Sequence, residues 1–314
     1  MEFILFYKMT QLNILFLGTG GSWPTIKRNV TSIAVKRGSE IILFDCGEGT
    51  QRQFQKSKLS YMQISKIFIT HFHGDHFLGI PGLIQTMQLN DREIPLHIYG
   101  PKGMIKLTDQ LLSLGYFKPN YEIVSHELDE NDEFDFGEYY IKTIRVKHGA
   151  PTLAYTLEEK MRPGKFNKPK ALKLGIPEGP LFSKLQHGQT IILKNGKKIT
   201  PSMILGPSRK GRKIVISGDT KPIDEMIDFA KDADILIHEA TFDSELKDIS
   251  GEYGHTTAFQ AAEIAKKADV EKLFLVHISP RYLDNKVLEN EARKVFKNSF
   301  VPNDFHEIEI KLKK

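Results

Sequence analysis

The sequence has a single cysteine, Cys46, so no disulfide can form within the chain. That excludes the small scaffolds held together by cystine bridges and leads us to expect a reducing, cytoplasmic setting. No apolar run approaches the ~20 residues needed to cross a bilayer, so no membrane partner is expected. Met1 to Lys8 is apolar but short and lacks a small-residue cleavage site, so it does not read as a signal peptide; Met9 is an alternative start. Tryptophan occurs once, at Trp23, and there is neither an internal repeat nor a low-complexity tract. The net charge of +5 is too small an excess to indicate a nucleic-acid partner by itself. The 314 residues suit one large domain or two small ones.

Histidine, in contrast, is concentrated. His71-Phe72-His73-Gly74-Asp75-His76 places four strong metal ligands in six residues. The preceding Lys66 to Thr70 reads as a short buried strand, so the loop leaves a sheet at its C-terminal edge, where α/β folds collect their chemistry. Gly74 permits a turn tight enough for both sides to face one point. Imidazole with carboxylate suits zinc or manganese better than calcium or magnesium. A histidine-rich surface loop is the bland alternative. A structural zinc site is disfavoured, because such sites usually carry thiolates.

The first half alternates short β-rich runs with amphipathic stretches. Leu12 to Leu17, Thr31 to Val35, Ile41 to Phe44, Leu96 to Tyr99, Tyr121 to His126 and Tyr139 to Lys147 read as strands; Gly49 to Lys56, Pro81 to Leu89 and Lys102 to Leu114 read as helices. In the last third, Lys213 to Ser217, Ile235 to His238 and Leu273 to His277 read as strands. Ile223 to Ala230, Ala258 to Ala268 and Asp284 to Asn298 read as helices. From Glu159 to Gly188 the pattern breaks into Pro, Gly and Lys. Between residues 160 and 188, Lys160, Arg162, Lys165, Lys168, Lys170, Lys173 and Lys184 face only Glu178, around the compact apolar tip Gly179-Pro180-Leu181-Phe182-Ser183-Lys184-Leu185. It reads as a protruding basic arm, or alternatively as a disordered insertion.

Further ligand candidates end strands downstream: His148, Asp219 and His277. Each alone is more commonly a hydrogen-bonded structural residue. Together with the loop they make seven ligands, too many for one zinc and suited to two ions sharing a carboxylate.

With those residues in place, the chain resembles the metallo-β-lactamase superfamily and, within it, the short form of ribonuclease Z (tRNase Z), which removes the 3′ trailer of precursor tRNA. The likeness also rests on Leu17-Gly18-Thr19-Gly20, Phe44-Asp45-Cys46-Gly47-Glu48-Gly49-Thr50-Gln51, Ser217-Gly218-Asp219-Thr220, His238-Glu239-Ala240-Thr241, Gly254-His255-Thr256-Thr257 and His277-Ile278-Ser279-Pro280-Arg281-Tyr282. It covers the chain from about Leu12 onward. The resemblance implies a four-layer αβ/βα sandwich: one catalytic domain over residues 1–314, with a tRNA-binding arm inserted at about 159–188, and a homodimer. It implies two zinc ions per subunit, one on His71, His73 and His148, the other on Asp75, His76 and His277, with Asp219 bridging.

On that reading, zinc supplies a hydroxide nucleophile at neutral pH for attack on the scissile phosphate. Asp75 both ligates and handles the nucleophile's proton. His255, beside Glu239, protonates the leaving 3′ oxygen. A helix start near Thr257 would disfavour an imidazolium at His255, and Glu239 is expected to offset this. Asp45 is expected to orient a ligand histidine, and Cys46 to be core. The arm residues above, with Lys27 and Arg28, are expected to contact RNA. The family loop after Trp23 has lysine two positions past the proline; here Ile26 stands there, with Lys27 following. Two rivals remain: another superfamily hydrolase such as a small phosphodiesterase, and a non-catalytic RNA-binding protein on the same fold.

Overall fold

The computed structural model describes residues 10–313; the N-terminal stretch weighed above as a start or leader lies outside them. In the first half the elements are β1 (Leu12–Gly18), β2 (Ser32–Arg37), β3 (Glu40–Phe44), α1 (Thr50–Lys56), β4 (Ile64–Phe68), α2 (Gly74–Phe77), α3 (Ile80–Leu89), β5 (Leu96–Pro101), α4 (Met104–Leu112) and β6 (Ile123–Leu128). Then come β7 (Glu133–Asp135), β8 (Tyr139–Val146), β9 (Thr152–Glu159), α5 (Lys168–Lys173), α6 (Pro180–Gln186), β10 (Ile191–Ile192) and β11 (Lys198–Ile199). The chain finishes with β12 (Lys213–Ile216), α7 (Glu225–Ala230), β13 (Ile235–Glu239), α8 (Lys247–Tyr253), α9 (Ala258–Lys267), β14 (Lys272–Val276), α10 (Lys286–Val295), β15 (Ser299–Phe300) and β16 (Glu307–Glu309).

The described residues form two compact units: Gln11–Glu158 with Lys213–Lys311, and the insert Glu159–Arg212 together with Thr10, Leu312 and Lys313. In the larger unit two sheets form, in the orders β16-β1-β2-β3-β4-β5-β6 and β15-β14-β13-β12-β9-β8-β7. Alternation along β1 explains the layering. Leu12, Ile14 and Phe16 join Tyr155, Ile214 and Phe274 of the second sheet in a core between the sheets. Leu15 and Leu17 face the other way, into a layer with Phe54, Leu83, Met87 and Met104 from α1, α3 and α4. Across the molecule Val215, Leu236 and Leu275 pack on Met226, Ala261, Ala262 and Leu288 from α7, α9 and α10. Helix, sheet, sheet, helix: this is the expected four-layer sandwich.

β3 through β6 run parallel in one sheet and β12 through β15 in the other, so loops carrying the candidate ligands leave from C-terminal strand ends. The strand expected from Lys66 to Thr70 is instead Ile64–Phe68. Thr70 has left the ladder because its N–H donates to Asp45 Oδ1 at 2.7 Å. β9 was not anticipated: its Thr and Tyr residues are polar in sequence yet buried, with Tyr155 donating its hydroxyl to Ile69 O at 2.7 Å.

The insert differs most from expectation. It runs to Arg212 rather than ending near Gly188, and it holds helices, a β10–β11 hairpin and its own core of Ala171, Ile176, Leu185, Ile191, Ile199 and Ile204. That core was invisible because its members are spread thinly among Lys, Gly and Pro. Its two ends are joined by a buried ion pair, Arg212 Nε and Nη2 each 2.7 Å from the Glu159 carboxylate. Arg162, expected to meet RNA, is only 5% exposed and donates to the carbonyls of Lys210 and Lys313. It is a strut of the insert, which corrects its assignment as a contact. Lys165, Lys168, Lys170, Lys173 and Lys184 are exposed, Lys168 in an ion pair with Glu178 at 2.9 Å; Lys160 is half-buried.

Candidate metal centre

The loop after β4 needs only one short helix to fold back on itself. α2 begins at Gly74, presenting Asp75 in its first turn and burying His76. His73 faces the ends of His71 and His148: its Nδ1 lies 3.0 Å from His71 Nε2 and 3.2 Å from His148 Nε2. Asp75 Oδ2 lies 3.2 Å from His277 Nε2 and 3.7 Å from His76 Nε2. Between the two groups sits Asp219 Oδ2, 3.1 Å from His277, 3.4 Å from His76, 3.7 Å from His71 and 4.0 Å from His148. All seven side chains named as ligands thus converge.

Hydrogen-bond direction fixes which nitrogen each ring points inward. Asp45 receives Thr70 N–H, Thr70 Oγ1–H at 3.0 Å and His76 Nδ1 at 2.8 Å, so it acts as a carboxylate acceptor. A threonine hydroxyl has one proton. Having given it to Asp45, Thr70 Oγ1 must accept from His71 Nδ1–H at 3.0 Å. Thr241 repeats the device: it donates to Glu239 Oε2 at 2.8 Å and accepts from His277 Nδ1 at 2.9 Å. His148 Nδ1 donates to Gly254 O at 2.9 Å. In their neutral forms His71, His76, His148 and His277 would therefore each turn an Nε2 lone pair toward the cluster. With no cation there, burial is outweighed at His76 by the Asp219 and Asp45 carboxylates, which push its pKa well above the usual value.

This set fits a divalent cation. His76 Nε2 is buried and makes no hydrogen bond among the described residues, although Asp219 is near. Inward lone pairs about 3 Å apart repel unless a cation lies among them. Burial, helped by the neighbouring rings, holds His71 well below its usual pKa, and burial with His148 lowers His73, so both stay neutral ligands. Burial opposes ionisation of Asp75 and Asp219, but neighbouring histidines, His277 foremost, hold both carboxyls well below the usual range. Six imidazole and carboxylate ligands plus a shared carboxylate match two sites better than one.

Beside the cluster stands a second histidine–carboxylate pair. His255 Nδ1 lies 2.9 Å from Glu239 Oε1, and Glu239 is pinned further by Thr220 N–H at 2.8 Å. The His255 ring stacks on His277, centroids 5.2 Å apart, with its side chain 13% exposed. Thr257 caps α9 with the full capping box, so His255 precedes the cap and the helix terminus does not govern it. Burial lowers its pKa, but the charge and hydrogen bond of Glu239, with Asp219 and Asp75, raise it to about 9.

The chain is similar to known proteins over nearly its whole length. A family model described as a beta-lactamase superfamily domain matches residues 181–278, and one described as anti-Pycsar protein Apyc1 matches residues 12–161. A ribonuclease Z of Methanosarcina acetivorans is 47% identical over 300 residues, 95% of this chain and 98% of that protein. One from Archaeoglobus fulgidus is 46% identical over 95% and 97%. The chain belongs to the ribonuclease Z family. The crystal structure of human tRNase Z, short form, superposes with a TM-score of 0.72 at 30% identity, covering 96% of this chain and all of that one.

Within this family member, several site groups escaped the sequence reading. Thr70 and Thr241 carry the tautomer wiring, and the Gly254 carbonyl orients His148. Thr241 sits in the quoted His238 to Thr241 motif, which was the available signal; a carbonyl leaves none. Asp45 and His277 adopt left-handed backbone conformations, φ +56° and +57°, which non-glycine residues seldom hold. Arg28 is corrected: 8% exposed, it donates to Pro302 O at 2.7 Å and bonds Thr19, bracing the loop from inside. Lys27 is exposed.

Proposed function

We propose that the protein is a metal-dependent endoribonuclease that removes the 3′ trailer of precursor tRNA and leaves a tRNA 3′-OH. The observation that carries the reading is the His255–Glu239 pair, 2.9 Å apart, set against a cluster of metal-ligand side chains. Such an acid is needed where the leaving group is a ribose oxygen and is dispensable where it is a good one.

His71, His73 and His148 would hold one zinc ion; Asp75, His76 and His277 the other, with Asp219 shared. Divalent cations there activate water at neutral pH and neutralise charge on the phosphoryl oxygens. Asp75, steadied by the Ser22 N–H at 2.7 Å, takes the proton of the attacking water. His255 gives its proton to the departing 3′ oxygen, and Glu239 keeps that proton on the ring beforehand. The exposed lysines of the insert, Lys165, Lys168, Lys170, Lys173 and Lys184, with the Gly179-Pro180 tip, bind the body of the tRNA. Their contribution is read from the salt dependence of binding, which flattens when they are replaced together by alanine. A homodimer, which light scattering would test, is proposed from the resemblance, and a cytoplasmic setting from the single cysteine. No helix among the described residues is long and apolar enough to cross a membrane.

The test is incubation of the zinc-loaded protein with a precursor tRNA carrying a 3′ trailer, with both product ends mapped. Cleavage at the trailer junction leaving a 3′-OH is expected, and zinc content of two per chain. Turnover of small phosphodiesters alone would instead favour a small-molecule phosphodiesterase.

A further inference from the structure

The face of β1 that carries Leu15 and Leu17 into the α1 layer turns polar at Asn13. Lys36 on β2 lies directly opposite Asn13, and Glu307 on β16 opposite Leu15, so all of them share that face. Between this strip and the end of α1 lies a cavity of about 450 Å³. Leu15, Leu59 and Phe305 give it apolar walls, and Lys56 and Lys58 stand exposed at its rim. Neither the metal ligands nor the insert contributes to it.

Two independent observations point to a ligand. Asn13 donates its amide to Glu307 Oε1 at 2.9 Å, yet Asn13 Oδ1 is buried without a hydrogen bond among the described residues. A buried carbonyl without a donor is costly, and here it lies beside a carboxylate that also accepts. Lys36, Lys56 and Lys58 meet only that one carboxylate, and none of the three is in an ion pair among the described residues. Adjacent acceptors ask for adjacent donors, and guanine presents two on one edge, N1–H and the N2 amino group. The exposed Phe305 ring offers a face for a base, and three ammonium groups suit its phosphates. We propose that this cavity is a site for a free guanine nucleotide. The base edge meets Asn13 and Glu307, and the phosphates meet Lys36, Lys56 and Lys58. The volume suits one nucleotide rather than a strand. The site is distinct from the candidate metal centre, which the same strand reaches only past its other end, where Ser22 N–H bonds Asp75.

Calorimetric titration of the zinc-loaded protein with GDP tests this. One saturable site per chain is expected, roughly tenfold tighter than for ADP, the effect of one charge-assisted hydrogen bond. Replacing Lys36, Lys56 and Lys58 together by alanine should abolish the binding, with the melting curve and hydrolysis of a small phosphodiester unchanged. Glu307→Gln should erase the preference for guanine by removing the carboxylate. His76→Ala should bind GDP as before, because the metal centre takes no part. Unaltered GDP binding in the triple-lysine variant would put the nucleotide elsewhere and overturn the site, as would loss of binding in His76→Ala. Equal affinity for GDP and ADP would overturn the base-edge contacts. Tighter binding of the trinucleotide UpGpU than of GDP would overturn the assignment to a free nucleotide.

Discussion

The two halves of the candidate site are wired alike and exposed differently. In the first, a carboxylate at the end of β3, Asp45, bonds His76 directly and His71 through the Thr70 hydroxyl. In the second, a carboxylate at the end of β13, Glu239, bonds His255 directly and His277 through the Thr241 hydroxyl. Each carboxylate thus orients two imidazoles with one threonine as relay. The directly bonded rings then part ways: the His76 side chain is 1% exposed, its Nε2 facing the Asp219 and Asp75 carboxylates, whereas that of His255 is 13% exposed. Burial also pushes the Asp45 carboxyl up from its usual value despite its donors, while Glu239, equally buried, is held below it by His255. The difference in burial between the two directly bonded rings is what the proposed division into ligand and proton donor rests on.

Breaking the directly bonded histidines tests this most severely. His76→Ala should abolish hydrolysis of both RNA and a small phosphodiester and lower the zinc content, because two-metal sites rarely tolerate a lost ligand. His255→Ala should keep its zinc and slow RNA cleavage by about 10²–10⁴-fold, with much less effect on a p-nitrophenyl ester. Zinc loss in the second variant, or none in the first, would erase the proposed division of labour.

The carboxylates come next. Asp45→Asn should weaken zinc binding by about 10–100-fold, as for other groups that orient a ligand histidine. Glu239→Gln should show itself in the pH profile. His255 is an acid only while protonated, so RNA cleavage falls as pH rises through its pKa. Glu239 raises that pKa, so its removal should bring the fall to lower pH. A profile unchanged in Glu239→Gln would mean that the pair does not supply the proton.

The relays should matter least. Thr70→Val and Thr241→Val keep the shape but leave a histidine Nδ1–H without an acceptor, a cost of about 1–3 kcal/mol. Zinc affinity should drop roughly tenfold in each, seen by competition with a chelator. Only Thr241→Val should also disturb the alkaline limb, since its hydroxyl holds Glu239 as well as His277.

How much of this could be read from the chain follows from where the information is local. The loop from His71 to His76 declares itself because its ligands are adjacent in sequence. The strands deliver His148, Asp219 and His277 one at a time, so their convergence needed the family likeness and then the fold. β1 was legible as a strand from its apolar run, but the four-layer sandwich came from the family likeness; the insert's core did not announce itself, because Ala171, Ile176, Leu185 and Ile199 follow no period. Arg28 and Arg162 misled because charge in a sequence says nothing of burial, and both guanidinium groups are occupied by backbone carbonyls.

The convergence at Asp219 has a mechanical consequence. Asp75 and His277 are 202 residues apart in the chain and follow strands of different sheets, β4 and β14, and the single cysteine can make no disulfide between them. Cations held between them would tie the two sheets together where no disulfide can form. Removing them with a chelator should therefore soften the joint between the sheets and lower the melting temperature, whether or not any RNA is present.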